Sequence, residues 1–306
     1  MASEVPVSVL LPSYNYAHYL PLAIESVVKQ RHSLWELIIV DDGSTDDSRF
    51  IAESFAAQDS RIRFLCHPDG GNHGLASTLL RGLSATRYDY IAFLEADDTW
   101  EEGSLEQRLP LMCMPGTALV FNSPRLLVEK GRNAVYYEEL NVILEQVVAK
   151  RSPAQVFAVE LFAMNLVPCF SCVLADRSML LTSDFSSPTA PLLDKWLWQQ
   201  MALKGMCRYL AKPLTHWRLH SESYIAREYK TESAAERSHW HERSIACACV
   251  NGPLPSSFFI YRYLPDTFCI LLRVFIKTKA LGTLFTLRAL ARRISEKMRK
   301  IIQNEH

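Results

Sequence analysis

Tyr90-Ile91-Ala92-Phe93-Leu94-Glu95-Ala96-Asp97-Asp98 decides the fold class. Tyr90 to Leu94 is a short apolar run, the length of a strand buried on both faces. It ends in three carboxylates. Glu95 and Asp97 are spaced two apart, so at a strand end they can point the same way and share one divalent cation. Hard oxygen ligands suit Mn²⁺ or Mg²⁺, and such ions often complete their shell with substrate phosphates. The bland alternative is a solvated, helix-capping turn before Trp100 and Glu101.

Similar runs lie upstream. Val7 to Leu11 reads as a buried strand ending at Pro12, Trp35 to Val40 as a second stopped by Asp41-Asp42-Gly43, and Arg61 to Leu65 as a third. Helical signals separate them. Tyr19 to Gln30 places Leu20, Ala23, Ile24, Val27 and Val28 on one face, and Leu75 to Ala85 forms another helix. Ser44 and Thr45 are placed to cap a helix whose first turn holds Asp46 and Asp47. Strands alternating with helices predict an α/β fold with a mostly parallel sheet flanked by helices. Ligands of such sheets bind at the carboxyl ends of the strands. Three polar clusters fall there: Pro12-Ser13-Tyr14-Asn15, Asp41-Asp42 and Glu95 to Asp98. An aspartate at 41 or 42 can accept from a base N–H or a ribose hydroxyl, although Asp-Gly-Ser-Thr is also good turn chemistry.

Further along, Ala118 to Asn122, Arg125 to Val128, Phe170 to Leu174 and Leu214 to Leu219 read as strands. Pro153 to Met164 and Leu193 to Leu203 read as helices. Residues from about Ser221 to Gly252 are polar and mixed in charge. Pro265 to Gln303 is basic and amphipathic, with Asp266 and Glu296 its only acids.

The 306 residues suit one large domain or two small ones, and 49% hydrophobic content supports a sizeable core. Lys plus Arg and Asp plus Glu number 33 each, so charge points to no nucleic-acid partner. Met1 to Pro6 has no basic or long apolar stretch, so the sequence reads as lacking a signal peptide and as cytoplasmic. No run reaches the roughly 18 apolar residues of a spanning helix. The eight Cys are scattered in apolar surroundings and suit reduced core thiols. Cys169-Phe-Ser-Cys172 has metal-like spacing, but Cys247-Ala-Cys249 is a poor second pair, so the expectation is against a zinc site. A thioredoxin-like redox role has no more support, because no helix clearly opens at Cys172.

The series as a whole resembles the GT-A-fold family of inverting glycosyltransferases known as family 2. Val7-Ser-Val-Leu-Leu-Pro-Ser-Tyr-Asn15 looks like its opening strand and loop. Glu36-Leu-Ile-Ile-Val-Asp-Asp-Gly-Ser-Thr-Asp46 looks like its second-strand signature. Tyr90 to Asp98 looks like its metal-binding strand. Leu193-Asp194-Lys-Trp-Leu-Trp198 looks like the segment that opens the acceptor-side helix, where the family's catalytic base is an aspartate. Trp217-Arg-Leu-His220 looks like the closing strand, whose Arg-x-His lies near metal and diphosphate. Taken without the resemblance, Asp194 reads as a first-turn helix acid and His220 as an ordinary histidine.

The resemblance implies a nucleoside-diphosphate sugar donor, foremost a UDP-sugar, and a glycan or lipid-linked acceptor in cell-envelope polysaccharide biosynthesis. It implies Asp194 as base and Glu95, Asp97 and His220 on a divalent cation. Pro12, Ser13, Tyr14, Asn15, Asp41, Asp42, Gly74, Asp97 and Arg218 would then hold the donor. It divides the chain into a catalytic domain over 1–220 (donor half 1–111, acceptor half 112–220) and a mainly helical extension over 221–306. Three positions depart from the pattern. Glu95 replaces an aspartate, Thr78-Leu79-Leu80 stands where Ala-Arg-Asn is frequent, and Leu193 stands where a second acid often precedes the base. Two alternatives remain: a non-catalytic relative that binds nucleotide or a protein partner, and a nucleotidyltransferase. The latter would normally carry a glycine-rich, basic phosphate loop after the first strand. The basic stretch 265–303 fits peripheral contact with the inner face of an anionic membrane, or packing on the catalytic domain or a second copy in a homodimer.

Overall fold

The computed structural model describes residues 4–129, 135–150, 154–156, 160–161, 165–186 and 192–223. The expected basic stretch 265–303, nearly all of the polar segment before it and the pair Cys247 and Cys249 lie outside the described residues.

The first half is built as alternating strands and helices. β1 (Val7–Ser13) runs parallel to β2 (Trp35–Asp41) on one side and to β4 (Tyr90–Phe93) on the other, and β2 runs parallel to β3 (Ile62–Cys66). Register sets where the strands stop. Ser13 pairs with Asp41 and Leu10 with Phe93, so the loops after β1, β2 and β4 open on one edge.

Side chains alternate along a strand, and β1 and β2 divide their residues accordingly. Leu10, Ile38 and Val40 face a core shared with Leu79 and Leu83 of α3 (Gly74–Ala85). Val9, Leu11, Leu37 and Ile39 face the other core, with Leu20, Ala23, Ile24 and Val27 of α1 (Leu20–Val28) and Ala52 of α2 (Ser48–Gln58). α3 lies so close to the sheet that a Cβ on Gly82 would stand 2.1 Å from Leu10 Cδ1.

β5 (Thr99–Trp100) and α4 (Ser104–Met112) follow β4. β6 (Thr117–Val128) comes next, and α5 (Val135–Ile143) continues into a wider turn at Leu144–Val148. β7 (Gln155–Val156), β8 (Val173–Asp176), α6 (Arg177–Leu181), α7 (Leu193–Lys204) and β9 (Met206–Leu219) complete the described elements. The sheet order is β3-β2-β1-β4-β8-β6-β9-β5, with β7 also on β9. The sheet is therefore mixed. β3, β2, β1 and β4 form one parallel block and β6 and β9 a parallel pair, with β8 antiparallel between β4 and β6.

Several local expectations change in this second half. The two strands expected at 118–122 and 125–128 are one strand, paired in parallel with β9 along its length. Irregular pairing around Asn122 to Pro124 absorbs the proline, which has no N–H to give the ladder. The expected strand 214–219 is the end of the longer β9. Within the expected helix 153–164, Gln155 and Val156 instead pair antiparallel with Arg208 and Cys207; of that stretch 153, 157–159 and 162–164 lie outside the described residues. The expected strand 170–174 opens as a 3₁₀ turn at Phe170–Cys172 before β8 begins. The helix expected at Ser44 begins at Ser48, because Ser44 and Thr45 are used elsewhere.

Candidate active site

The loops after β1 and β2 latch onto each other. Asn15 sits in the left-handed region at φ 57°, which asparagine tolerates better than most residues. Its Oδ1 accepts the Thr45 N–H at 2.7 Å, and its own N–H donates to Ser44 Oγ at 2.9 Å. The Ala17 and Tyr16 N–H groups donate to Asp46 Oδ2 and Ser48 Oγ. Asp41 Oδ2 accepts the Ser44 N–H, while Asp41 Oδ1 is buried and without a partner. Asp42 ties the start of α3: its two oxygens accept the N–H groups of His73 at 2.8 Å and Gly74 at 3.0 Å. His67 Nε2 stands 3.3 Å from the same carboxylate. The turn chemistry legible in Asp41-Asp42-Gly-Ser-Thr is thus real, and it builds one wall of a cavity.

That cavity, of about 390 Å³, lies at the carboxyl edge of β1, β2 and β4. Pro12, Ser13, Tyr14, Asp42, Gly74, Glu95, Asp97, Asp194 and Arg218 all line it. Asn15, Asp41 and His220 do not. Asn15 fixes the loop behind the wall, and Asp41 and His220 are buried. Of the departures from the family pattern, Thr78 lines the cavity, Leu79 is core, Leu80 is exposed, and Leu193 packs in the core beneath Asp194.

β9 brings its end to the acidic strand. The Arg218 N–H donates to Asp98 Oδ1 at 2.9 Å, and Arg218 Nε donates to the Asp97 carbonyl at 3.1 Å. The Arg218 guanidinium lies 4.7 Å from the centre of the Tyr19 ring. His220 is buried, with Nε2 2.8 Å from Asp97 Oδ2. Asp98, read from sequence only as part of the acidic cluster, is the most enclosed of the three acids.

The 3₁₀ turn ahead of β8 supplies support that sequence reading missed. Ser171 is fully buried, and its Oγ accepts the Glu95 N–H at 2.9 Å. Its hydroxyl also bonds the Asp98 carboxylate. Its carbonyl accepts from Trp100 Nε1 at 2.7 Å and Thr215 Oγ1 at 3.1 Å. No motif announces this serine. The nearest signal is a polar residue between two cysteines in an apolar run.

The electrostatics follow from burial. Glu95 opens on the cavity but is otherwise surrounded by protein. Desolvation, then the charges of Asp98, Asp97 and Asp194, push its carboxyl well above the ordinary range. Burial and Asp97 raise Asp98 likewise. Burial raises Asp194, against the pull of the Lys195 N–H and of Asn165, whose Nδ2 donates to Asp194 Oδ2 at 3.4 Å. Closely set carboxylates with so little compensating charge form a donor set that fits a hard divalent cation.

Comparisons with known proteins agree with this geometry. The model of the family described as Glycosyl transferase family 2 matches residues 8–162. TuaG of Bacillus subtilis, named for teichuronic acid biosynthesis, is 37% identical over 125 residues, 41% of this chain and 49% of that protein. The chain thus matches about half the length of that relative. The Escherichia coli UDP-Glc:alpha-D-GlcNAc-diphosphoundecaprenol beta-1,3-glucosyltransferase WfgD is 31% identical over 193 residues, 63% of this chain and 68% of that protein. Among solved structures, Staphylococcus aureus TarS 1-349 in complex with UDP-GlcNAc superposes with a TM-score of 0.65 at 16% identity, over 86% of this chain and 73% of that one. The mannosyltransferase PcManGT of Pyrobaculum calidifontis, in complex with GDP-Man and Mn²⁺, also gives 0.65, at 15% identity over 97% and 82% of the two chains. The fold is GT-A. No helix among the described residues is long and apolar enough to cross a membrane. With the family model covering residues 8–162, and the three motif strands meeting at one cavity, the chain belongs to glycosyl transferase family 2.

Proposed function

We propose that the cavity binds a nucleoside-diphosphate sugar, a UDP-sugar foremost, and that one inverting displacement passes the sugar to an acceptor hydroxyl. One observation carries this reading: Asp42, Glu95, Asp97, Asp194 and Arg218, drawn from four separate stretches of sequence, line a single cavity. Pro12, Ser13 and Tyr14 form its floor beside Asp42 and Gly74, where the nucleoside would lie. Asp41 supports the wall from behind, where its Oδ2 accepts the Ser44 N–H.

Glu95 and Asp97 are the residues that would hold Mn²⁺ or Mg²⁺. When bound, such a cation supplies charge neutralisation for the departing diphosphate. Arg218 adds a fixed positive charge at the same edge. His220, with Nε2 2.8 Å from Asp97 Oδ2, is placed to hold the same cation beside Asp97 or to orient that carboxylate. Asp194 takes the acceptor proton as its oxygen attacks. Burial favours this role by raising the basicity of its carboxylate.

The acceptor reading is coarser. A lipid-linked or glycan acceptor in envelope polysaccharide synthesis draws support from the printed substrate of WfgD. Together with the basic stretch 265–303, it suits work in the cytoplasm at the membrane's inner face. The catalytic unit would span 1–220, with 221–306 as a helical extension.

The test is release of nucleoside diphosphate from UDP-, GDP- and dTDP-sugars by the full chain with Mn²⁺. Asp194→Asn should lower turnover by about 10²–10⁴-fold, or roughly 2.7–5.4 kcal/mol of barrier. Thermal stabilisation by donor should persist in the variant. Near-normal turnover would remove Asp194 from the role. Neither release nor a thermal shift with any donor would favour a non-catalytic binder.

A further inference from the structure

At the cavity wall, where Glu95 and Cys169 line the cavity and Asp98 is buried, these three residues bring two carboxylate oxygens and a thiol sulfur within 4.8 Å of one another. A second thiol borders this group, with Cys172 Sγ 3.5 Å from Cys169 Sγ. Two sulfurs on one tetrahedral Zn²⁺, each about 2.3 Å from the metal, stand roughly 3.8 Å apart. The cysteines come from the 3₁₀ turn and the acids from the end of β4 and its loop. The second ligand pair is thus two carboxylates from a distant part of the chain. The sequence expectation against zinc weighed only a second pair of cysteines.

Arg108 gives an independent sign. It is fully buried, and its Nη1 and Nη2 have no hydrogen-bond partner. Its guanidinium lies 4.6 Å from the centre of the Trp100 ring, and burial lowers its pKa to about 10, against the opposing influence of the Cys172 and Cys169 thiols. An unpaired buried cation is costly unless an anion faces it. Thiolates held by a metal would provide that anion without requiring free buried charge.

We propose that Glu95, Asp98 and Cys169, with the adjacent Cys172 thiol as the donor that would complete the shell, form a binding site for a soft divalent cation of the Zn²⁺ class, distinct in ligand chemistry from the hard-cation site of the transfer reaction. Binding replaces the two thiol protons, which pass to solvent, with two metal–sulfur bonds. Sulfur donors favour Zn²⁺ and Co²⁺ over Mg²⁺ and Mn²⁺. Glu95 belongs to both donor sets, so a soft cation here would draw it away from the diphosphate side and slow transfer. That last consequence rests on the proposed function; the binding does not.

The test uses the full chain, reduced with a non-chelating phosphine and stripped of metal. Titration with Co²⁺ should give a sulfur-to-cobalt charge-transfer band in the near ultraviolet, saturating at about one equivalent and abolished by Zn²⁺. Cys169→Ser should remove the band and weaken Zn²⁺ binding by more than the roughly 10–100-fold that loss of a supporting residue costs. Cys172→Ala is the second variant, and metal-free melting curves of both establish that they fold. Absence of the band in the parent protein overturns the proposal. So does a band of full intensity in both folded variants, which would place the cobalt on other thiols.

Discussion

Replacing Ser171 with alanine tests how the 3₁₀ turn ahead of β8 holds the acidic strand. The parent hydroxyl accepts the Glu95 N–H at 2.9 Å and also bonds the Asp98 carboxylate. Ser171→Ala therefore removes a hydrogen bond to a charged group and leaves an N–H without its acceptor. The first loss is worth about 1.5–3 kcal/mol and the second about 1–3 kcal/mol. They share one oxygen, so they do not simply add, and a combined cost of about 2–4 kcal/mol is expected. The side chain is fully buried, so water cannot easily replace the hydroxyl. For a domain of this size the loss amounts to roughly 4–16 °C in melting temperature. Urea denaturation gives the free energy, and titration of Mn²⁺ against turnover reads the effect on the site. Because Glu95 and Asp98 lose their common tether, the half-saturating Mn²⁺ concentration should rise by about 10–100-fold. A stability change within about 0.5 kcal/mol, together with an unaltered Mn²⁺ requirement, would refute the tether.

Three further outcomes are expected elsewhere in the site. Gly43 has φ +75°, and an added Cβ would lie 2.6 Å from the Gly71 carbonyl carbon and 2.8 Å from the Asn72 nitrogen. Gly43→Ala should therefore destabilise by at least about 1–3 kcal/mol and weaken nucleotide binding, as read by denaturation and by thermal shift with UDP. An unchanged midpoint would mean that the two loops are not held in register by this contact. The pH profile of transfer should rise through a value above the ordinary carboxylate range, because Asp194 must be ionised and burial raises its pKa. Stability should move the other way. With its folded pKa raised, this carboxyl binds more protons in the folded state than in the unfolded one. Its contribution to stability therefore falls as pH rises from the ordinary carboxyl value through the raised one. Asp194→Asn should flatten that part of the stability curve, and a curve of unchanged slope would contradict the burial argument.

The sequence by itself determined the first half of the fold. Each of the first four strands carries its own apolar run, and each helix its own face, so local pattern and tertiary outcome agree. The carboxyl-edge rule then places Pro12, Asp42 and Glu95 together from sequence alone. Beyond Trp100 the local signals decide less: the helix expected at Leu193 to Leu203 forms as α7, but other elements depend on their partners. Gln155 and Val156 become strand only because β9 offers them partners, and Pro124 sits in a strand only because the pairing shifts around it. The same holds within the site. The roles of Asp41 and His220 depend on what buries them, and neither can be read from the residue itself. Ser171, Arg108 and the joining of Cys169 with Glu95 and Asp98 depend on contacts between residues some 60 to 75 positions apart. Such contacts leave no periodic trace in the chain, because a buried polar group is recognised by the partner that satisfies it, and only the folded structure supplies that partner.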